Sequence, residues 1–258
     1  MRPNKIKALW REDKPVSFAW MSTADGYAAE LVANAGFDAM VLYMQHGMGI
    51  GPDRATAWLQ AVSTTETVPF VRVPWNEPAY IQWVLDAGAY GVIVPLVGSR
   101  EEAEKAGGAC RYSPIGYRSV GPNRSRFYAG SDYMQHANEE IICLVMIEDI
   151  KAIDRLDEIA QAPGIDGFYV GPADLAQTMG VAPFQYRESD AHAEACQKIL
   201  DAAKAHGLVA GIHCGSPEEA LHRFEQGFRC CPIFGDGSAL SSGAATALKT
   251  VRQGLATG

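Results

Sequence analysis

The chain has 258 residues, with 22 Lys plus Arg against 30 Asp plus Glu, a formal net charge of −8. An acidic balance of this size argues against nucleic acid or an anionic membrane surface as the main partner. Hydrophobic residues at 48% and charged residues at 20% supply a large core and place the chain outside the disordered class.

Short apolar runs alternate with helical patterns from the start. Val16–Met21 is expected as a strand. A helix over Asp25–Ala35 follows, with Ala28, Leu31, Val32 and Ala35 on one face and Gly36 as its stop. Ala39–Met44 is the second strand, then a helix over Asp53–Val62. Val68–Val73 is the third strand, then a helix over Pro78–Ala87 stopped by Gly88. Gly91–Val97 is the fourth strand, and Ser99 with Glu102 forms a capping box for the next helix. An insert over Tyr112–Pro122, rich in Gly, Pro and Arg, precedes a helix over Ser131–Asn138. The fifth strand is Ile141–Ile147, with a helix over Ile150–Ala160; the sixth is Gly167–Val170, with a helix over Ala191–Ala205 ended by Gly207. Leu208–His213 is the seventh strand, and Ser216, Pro217 and Glu219 make a second capping box. Phe228–Phe234 is the eighth strand, and Ala244–Gln253 the last helix.

Eight strand–helix units with no linker between them predict a single-domain (β/α)8 TIM barrel over residues 1–258. The continuous apolar strands fit a parallel sheet covered on its outer face, and the absence of GxGxxG after the first strand argues against an open doubly wound sheet. No run of about 18 apolar residues suggests a membrane span, and the basic start lacks the apolar core of a secretory signal. The cysteines at 110, 143, 196, 214, 230 and 231 form no CxxC and are expected as buried thiols in a cytoplasmic protein.

In such a barrel, reactive groups stand where strands end. Glu148 and Asp174 follow the fifth and sixth strands, about 4.8 Å apart as neighbours. Both could reach one Mg²⁺ or Mn²⁺ ion; the alternative is a pair of solvated loop carboxylates or helix caps. Arg72 lies inside an apolar run, so its guanidinium needs either a bound carboxylate or keto acid or an internal salt bridge. His46, after the second strand, is either an acid–base group or a hydrogen-bonded core residue; for His213 the core reading is preferred. The run GDGSALSSG after the eighth strand is a phosphate cradle or a Gly-rich turn. None of the eight lysines falls in or at the end of a predicted strand, which disfavours an imine-forming aldolase.

The ordered set AGFDAMVLYMQHG, VRVPWNEP, DAGAYGVIVPLV, YSPIGYRSVG, LVMIED and GFYVGPADLAQTMG resembles the HpcH/HpaI aldolases from about residue 15 to about residue 240. The resemblance implies a class II pyruvate aldolase, which joins pyruvate and a small aldehyde through an enolate on Mg²⁺, Mn²⁺ or Co²⁺. It implies Glu148 and Asp174 as metal ligands, Arg72 on the pyruvate oxygen and His46 as the catalytic histidine. Gly171, Pro172 and Ala173 would meet the pyruvate carboxylate, and Asp86 would act in a neighbouring subunit. It also implies a trimer or hexamer that exchanges its C-terminal helix. One position departs from the pattern: an aspartate usually stands three residues before the histidine, and here it is Tyr43, expected at the mouth of the substrate pocket or else packed into the barrel wall. A phenol cannot supply the charge of that carboxylate. Two other readings stay open. One is an acyl-CoA lyase of the malyl-CoA or citryl-CoA type, for which Arg118, Arg124 and Arg126 are the local basic cluster. The other is a keto-acid-binding variant with impaired turnover.

Overall fold

The computed structural model describes residues 1–256, two short of the predicted domain. Its centre is a closed parallel barrel in chain order: β1 (Val16–Met21), β2 (Ala39–Tyr43), β3 (Val68–Arg72), β4 (Gly91–Val94), β5 (Ile142–Ile147), β6 (Gly167–Val170), β7 (Val209–Ile212) and β8 (Cys230–Gly235), with β8 pairing back onto β1. The predicted (β/α)8 barrel is therefore the fold. Every residue of β3, β4, β5 and β6 is buried, because side chains face either the barrel interior or the helix layer. Inside, the Phe18 and Phe70 rings lie 5.2 Å apart, and a Cβ on Gly91 would fall on the Phe70 ring. Glycine at 91 is thus a packing requirement of β4.

The helices are α1 (Lys5–Arg11), α2 (Gly26–Ala33), α3 (Pro52–Val62), α4 (Pro78–Asp86), α5 (Arg100–Cys110), α6 (Ser125–Ala129), α7 (Tyr133–Glu140), α8 (Leu156–Ala160), α9 (Pro172–Thr178), α10 (Asp190–Ala205), α11 (Pro217–Gln226) and α12 (Asp236–Ala256). Both predicted caps form: the Ser99 hydroxyl accepts from Glu102 N at 3.1 Å and Ser216 from Glu219 N at 3.2 Å. The returning bonds land one residue earlier than in the reciprocal box, on Gly98 N at 2.7 Å and Gly215 N at 2.9 Å.

Both chain ends differ from expectation. Helix α1, absent from the sequence reading, is anchored by Asn4, whose side chain donates to the Glu140 and Tyr90 carbonyls and caps Ile6 N. At the other end, GDGSALSSG is neither a turn nor an anion cradle: α12 begins at Asp236, directly after β8. The Asp236 carboxylate accepts from the backbone N–H and hydroxyl of Ser22 and Thr23 and from Gly237 N, so these donors are already used. These bonds hold its acid below the usual carboxylate range against the opposing effect of burial. Beyond this anchor, every residue from Leu240 to Ala256 is exposed, including Leu240, Leu248, Val251 and Leu255.

Candidate active site

A cavity of about 390 Å³ opens where the strands end. Arg72, the last residue of β3, Gly171–Asp174 after β6, Met146 of β5 and Tyr43 at the end of β2 all line it. The predicted strand-end residues Tyr43, Arg72, Gly171, Pro172, Ala173 and Asp174 are thereby brought to one space, with Glu148 against it.

Glu148 is 1% exposed, just past β5. One carboxylate oxygen accepts from Leu96 N at 2.8 Å and lies 3.6 Å from Arg72 Nη2; the other is buried with no partner. Arg72, 2% exposed, places Nε 3.2 Å from the Met146 sulfur, while its Nη1 has no partner. The ion pair is long and both members are under-satisfied. Burial pushes the Glu148 carboxyl up to about 7 despite Arg72, and burial also lowers the Arg72 pKa despite Glu148. Desolvation therefore outweighs the pair's mutual attraction, and the two charges alone do not offset the cost of burying them.

The backbone at Gly171 is part of this construction. A Cβ there would fall on the unpartnered Glu148 oxygen and within 3.0 Å of its Cβ and of the Met146 methyl. Gly171 is the N-cap of α9, so the expected turn at Gly171–Ala173 is in fact the first turn of a helix, with Pro172 at N1. That geometry leaves the N–H groups of Ala173 and Asp174 without intrahelical acceptors. Asp174 itself is exposed.

The other predicted residues are placed differently. His46 is exposed in the turn after β2, outside the lining, and meets the site through the edge of the Tyr43 ring at 5.4 Å. Tyr43 is half-buried; its ring meets Trp20 edge-on at 5.1 Å, and the Arg72 guanidinium lies 5.6 Å from its centre. Burial raises its phenol pKa further, so it is a neutral hydrogen-bond donor at pH 7. Asp86 ends α4, and that helix runs back from the cavity to the barrel face where strands begin. It accepts from Arg118 Nη2 at 2.6 Å and takes no part in its own chain's cavity.

The basic cluster is also structural. Arg118 is buried between Asp86 and the Tyr133 hydroxyl, and Arg124 donates to the Ala87 carbonyl and to Ser63. Only Arg126 of the three is exposed, which removes the case for a nucleotide site there.

Several lining residues escaped the sequence reading: Trp20 of β1, Met146, and Phe184, Tyr186 and Arg187 between α9 and α10. His213, assigned to the core, lines the cavity edge-on to Trp20 at 4.7 Å; burial lowers its pKa to about 4, so the imidazole is neutral. Trp20 could have been found as an inward residue at a strand end. Phe184–Arg187 carry no strand register and approach the cavity only through the fold.

The model of the HpcH/HpaI aldolase/citrate lyase family matches residues 17–229. The chain is 36% identical over 249 residues to a hydroxypyruvate/pyruvate aldolase from Rhizorhabdus wittichii, covering 96% of this chain and 99% of that protein. It is 36% identical over 211 residues to a 4-hydroxy-2-oxo-heptane-1,7-dioate aldolase from Shigella flexneri, covering 80% and 79%. Among solved structures, an HpcH/HpaI aldolase/citrate lyase family protein from Burkholderia cenocepacia superposes with a TM-score of 0.88 at 31% identity, over 96% of this chain and 99% of that one. With strand ends, cavity and full-length similarity in agreement, the chain belongs to the HpcH/HpaI aldolase/citrate lyase family.

Proposed function

We propose that the chain is a class II pyruvate aldolase, a carbon–carbon lyase that reversibly cleaves 4-hydroxy-2-oxo acids to pyruvate and an aldehyde. The observation that carries this reading is the orphaned, buried carboxylate oxygen of Glu148 beside Arg72, which itself lines the strand-end cavity. A resident divalent cation fits the donor set. Among the described residues no group of three or more His, Cys, Asp or Glu is arranged to hold a metal. Glu148 and Asp174 form a two-carboxylate set, the kind that leaves positions for water and substrate oxygens on Mg²⁺ or Mn²⁺. A cation held there supplies Lewis acidity to the keto oxygen and acidifies the adjacent methyl protons.

The chain's own groups do the rest. Arg72 turns its unused donors to the oxygen that gains charge in the enolate. The free N–H groups of Ala173 and Asp174 orient the substrate carboxylate. His46, which stands outside the lining behind the Tyr43 ring, would move the methyl proton through an intervening water, and the neutral Tyr43 phenol donates from the mouth of the cavity, where a carboxylate would accept. A lactate-dehydrogenase-coupled retro-aldol assay with added Mg²⁺, Mn²⁺ or Co²⁺ tests the reading. Turnover that disappears with chelator supports it; pyruvate and metal binding without turnover assigns a keto-acid-binding protein instead.

Gly171→Ala follows from the contact at Glu148. The added methyl displaces the carboxylate, so a loss of at least tenfold in kcat/KM and weaker Mn²⁺ binding by calorimetry are expected. Unchanged Mn²⁺ affinity would show that Gly171 is a helix-cap residue only.

Two features bear on assembly: the exposed apolar residues of α12, which none of the described residues covers, and Asp86, which lies on the far face paired with Arg118. They support a cytoplasmic homo-oligomer, a trimer or hexamer, with α12 exchanged and Asp86 acting in a neighbour's cavity. The six free, buried thiols fit the reducing compartment. Mixing inactive Asp86→Ala with inactive His46→Ala subunits is expected to restore part of the activity. A monomer by light scattering contradicts this arrangement.

A further inference from the structure

Away from Arg72 and the carboxylates, the cavity wall is built from rings. Trp20, Tyr43, Phe184 and Tyr186 line it together with Met146 and His213. Trp20 meets Tyr43 at 64° and His213 at 80°, both edge-on. Phe184 is 85% exposed, a ring with its faces free at the rim. The charges of this wall are already engaged. Arg187, the one cation on the lining besides Arg72, donates to Glu219 Oε2 at 2.6 Å and lies over the Tyr186 ring at 4.7 Å. Glu219 is fixed in turn by Gly215 N at 2.9 Å. No lysine lines the cavity. A carboxylate entering here would lose water and find as its nearest cation away from Arg72 only Arg187, whose charge is already paired with Glu219. A flat apolar ring gains edge and face contacts with the wall.

We propose that the acceptor part of this cavity takes an aldehyde carrying an uncharged aromatic ring and discriminates against one ending in a carboxylate. The inference rests on the pyruvate aldolase reading. The reaction joins C3 of pyruvate to the aldehyde carbon: C3 gives up a proton, the aldehyde oxygen gains one, and a 4-aryl-4-hydroxy-2-oxobutanoate forms with no other reactant. The substrate class differs from that named for the Shigella flexneri relative, whose heptane-1,7-dioate cleaves to a carboxylate-tailed aldehyde.

The test compares benzaldehyde with succinic semialdehyde as acceptors for pyruvate, using the metal-loaded full chain. The expected kcat/KM ratio is about tenfold or more in favour of benzaldehyde. Phe184→Arg, at an exposed rim position, and Glu219→Gln, which removes the charge paired with Arg187, are each expected to shift the ratio several-fold toward succinic semialdehyde. Exchange of the pyruvate methyl protons with deuterium, measured without any aldehyde, reports enolate formation alone. Exchange together with an equal or reversed acceptor ratio overturns the aromatic assignment and leaves the aldolase reading intact. No exchange under any metal overturns the aldolase reading, and the assignment with it.

Discussion

Removing either carboxylate at the strand ends is expected to abolish turnover while the barrel stays folded. Glu148→Gln keeps the shape and one acceptor oxygen, so Leu96 N retains its bond, but the charge on the orphaned side is gone. Asp174→Ala alters an exposed position, where the cost to stability is within about 0.5 kcal/mol. The chemistry is far more sensitive. On the metal-site reading, with one carboxylate left the site would lose a charged ligand and the keto group would no longer be polarised. The expected fall in kcat is roughly 10³-fold or more, about 4 kcal/mol in the barrier. Three measurements read it together: the coupled retro-aldol rate, Mn²⁺ affinity by calorimetry, and far-UV circular dichroism. Full turnover in a chelator-treated, metal-free sample would remove the carboxylate pair from the mechanism. Normal Mn²⁺ affinity in both variants would place the cation elsewhere.

The parts of this site that follow strand periodicity are legible in the sequence. β1 and β6 have the bounds expected from their apolar runs, and the polar residues that end β2, β3 and β6 reach one cavity because parallel strands share a direction. What depends on contacts between distant segments is not legible. GDGSALSSG has the composition of a turn, yet it is helical because Ser22 and Thr23 hold Asp236 at the start of α12. KIKALWR is too short and mixed to predict as a helix, and tertiary bonds from Asn4 and Trp10 stabilise it. His213 belongs to both environments at once: it lines the cavity and is desolvated enough to stay neutral. The aromatic wall from Phe184 to Tyr186 comes from a loop and a 3-10 turn, for which no periodicity exists. The spent cations were equally hidden, since Arg118, Arg124 and Arg187 are distinguishable from free ones only by their acceptors.

Arg72→Lys is expected to separate the two roles open to a buried arginine at a strand end. As a structural ion pair, Arg72 is poor: its closest approach to Glu148 is 3.6 Å, Nε faces a thioether, and Nη1 has no acceptor. A lysine would keep the positive charge and could still neutralise Glu148. It would lose the planar fork, which can hold a carboxylate and a second oxygen at once, and the stacking near Tyr43 at 5.6 Å. If Arg72 donates to the oxygen that becomes negative in the enolate, the loss appears in the barrier. A fall in kcat/KM of tens of fold, at least about 2 kcal/mol, is expected with a Tm near that of the parent protein. Deuterium exchange into pyruvate should fall by a similar factor, because enolate formation needs no aldehyde. An ion-pair role predicts the opposite pattern, a lower Tm with native exchange and native turnover. The unused donors of Arg72 favour the first outcome: a guanidinium kept dry at this cost, facing a cavity, has capacity left for a substrate oxygen.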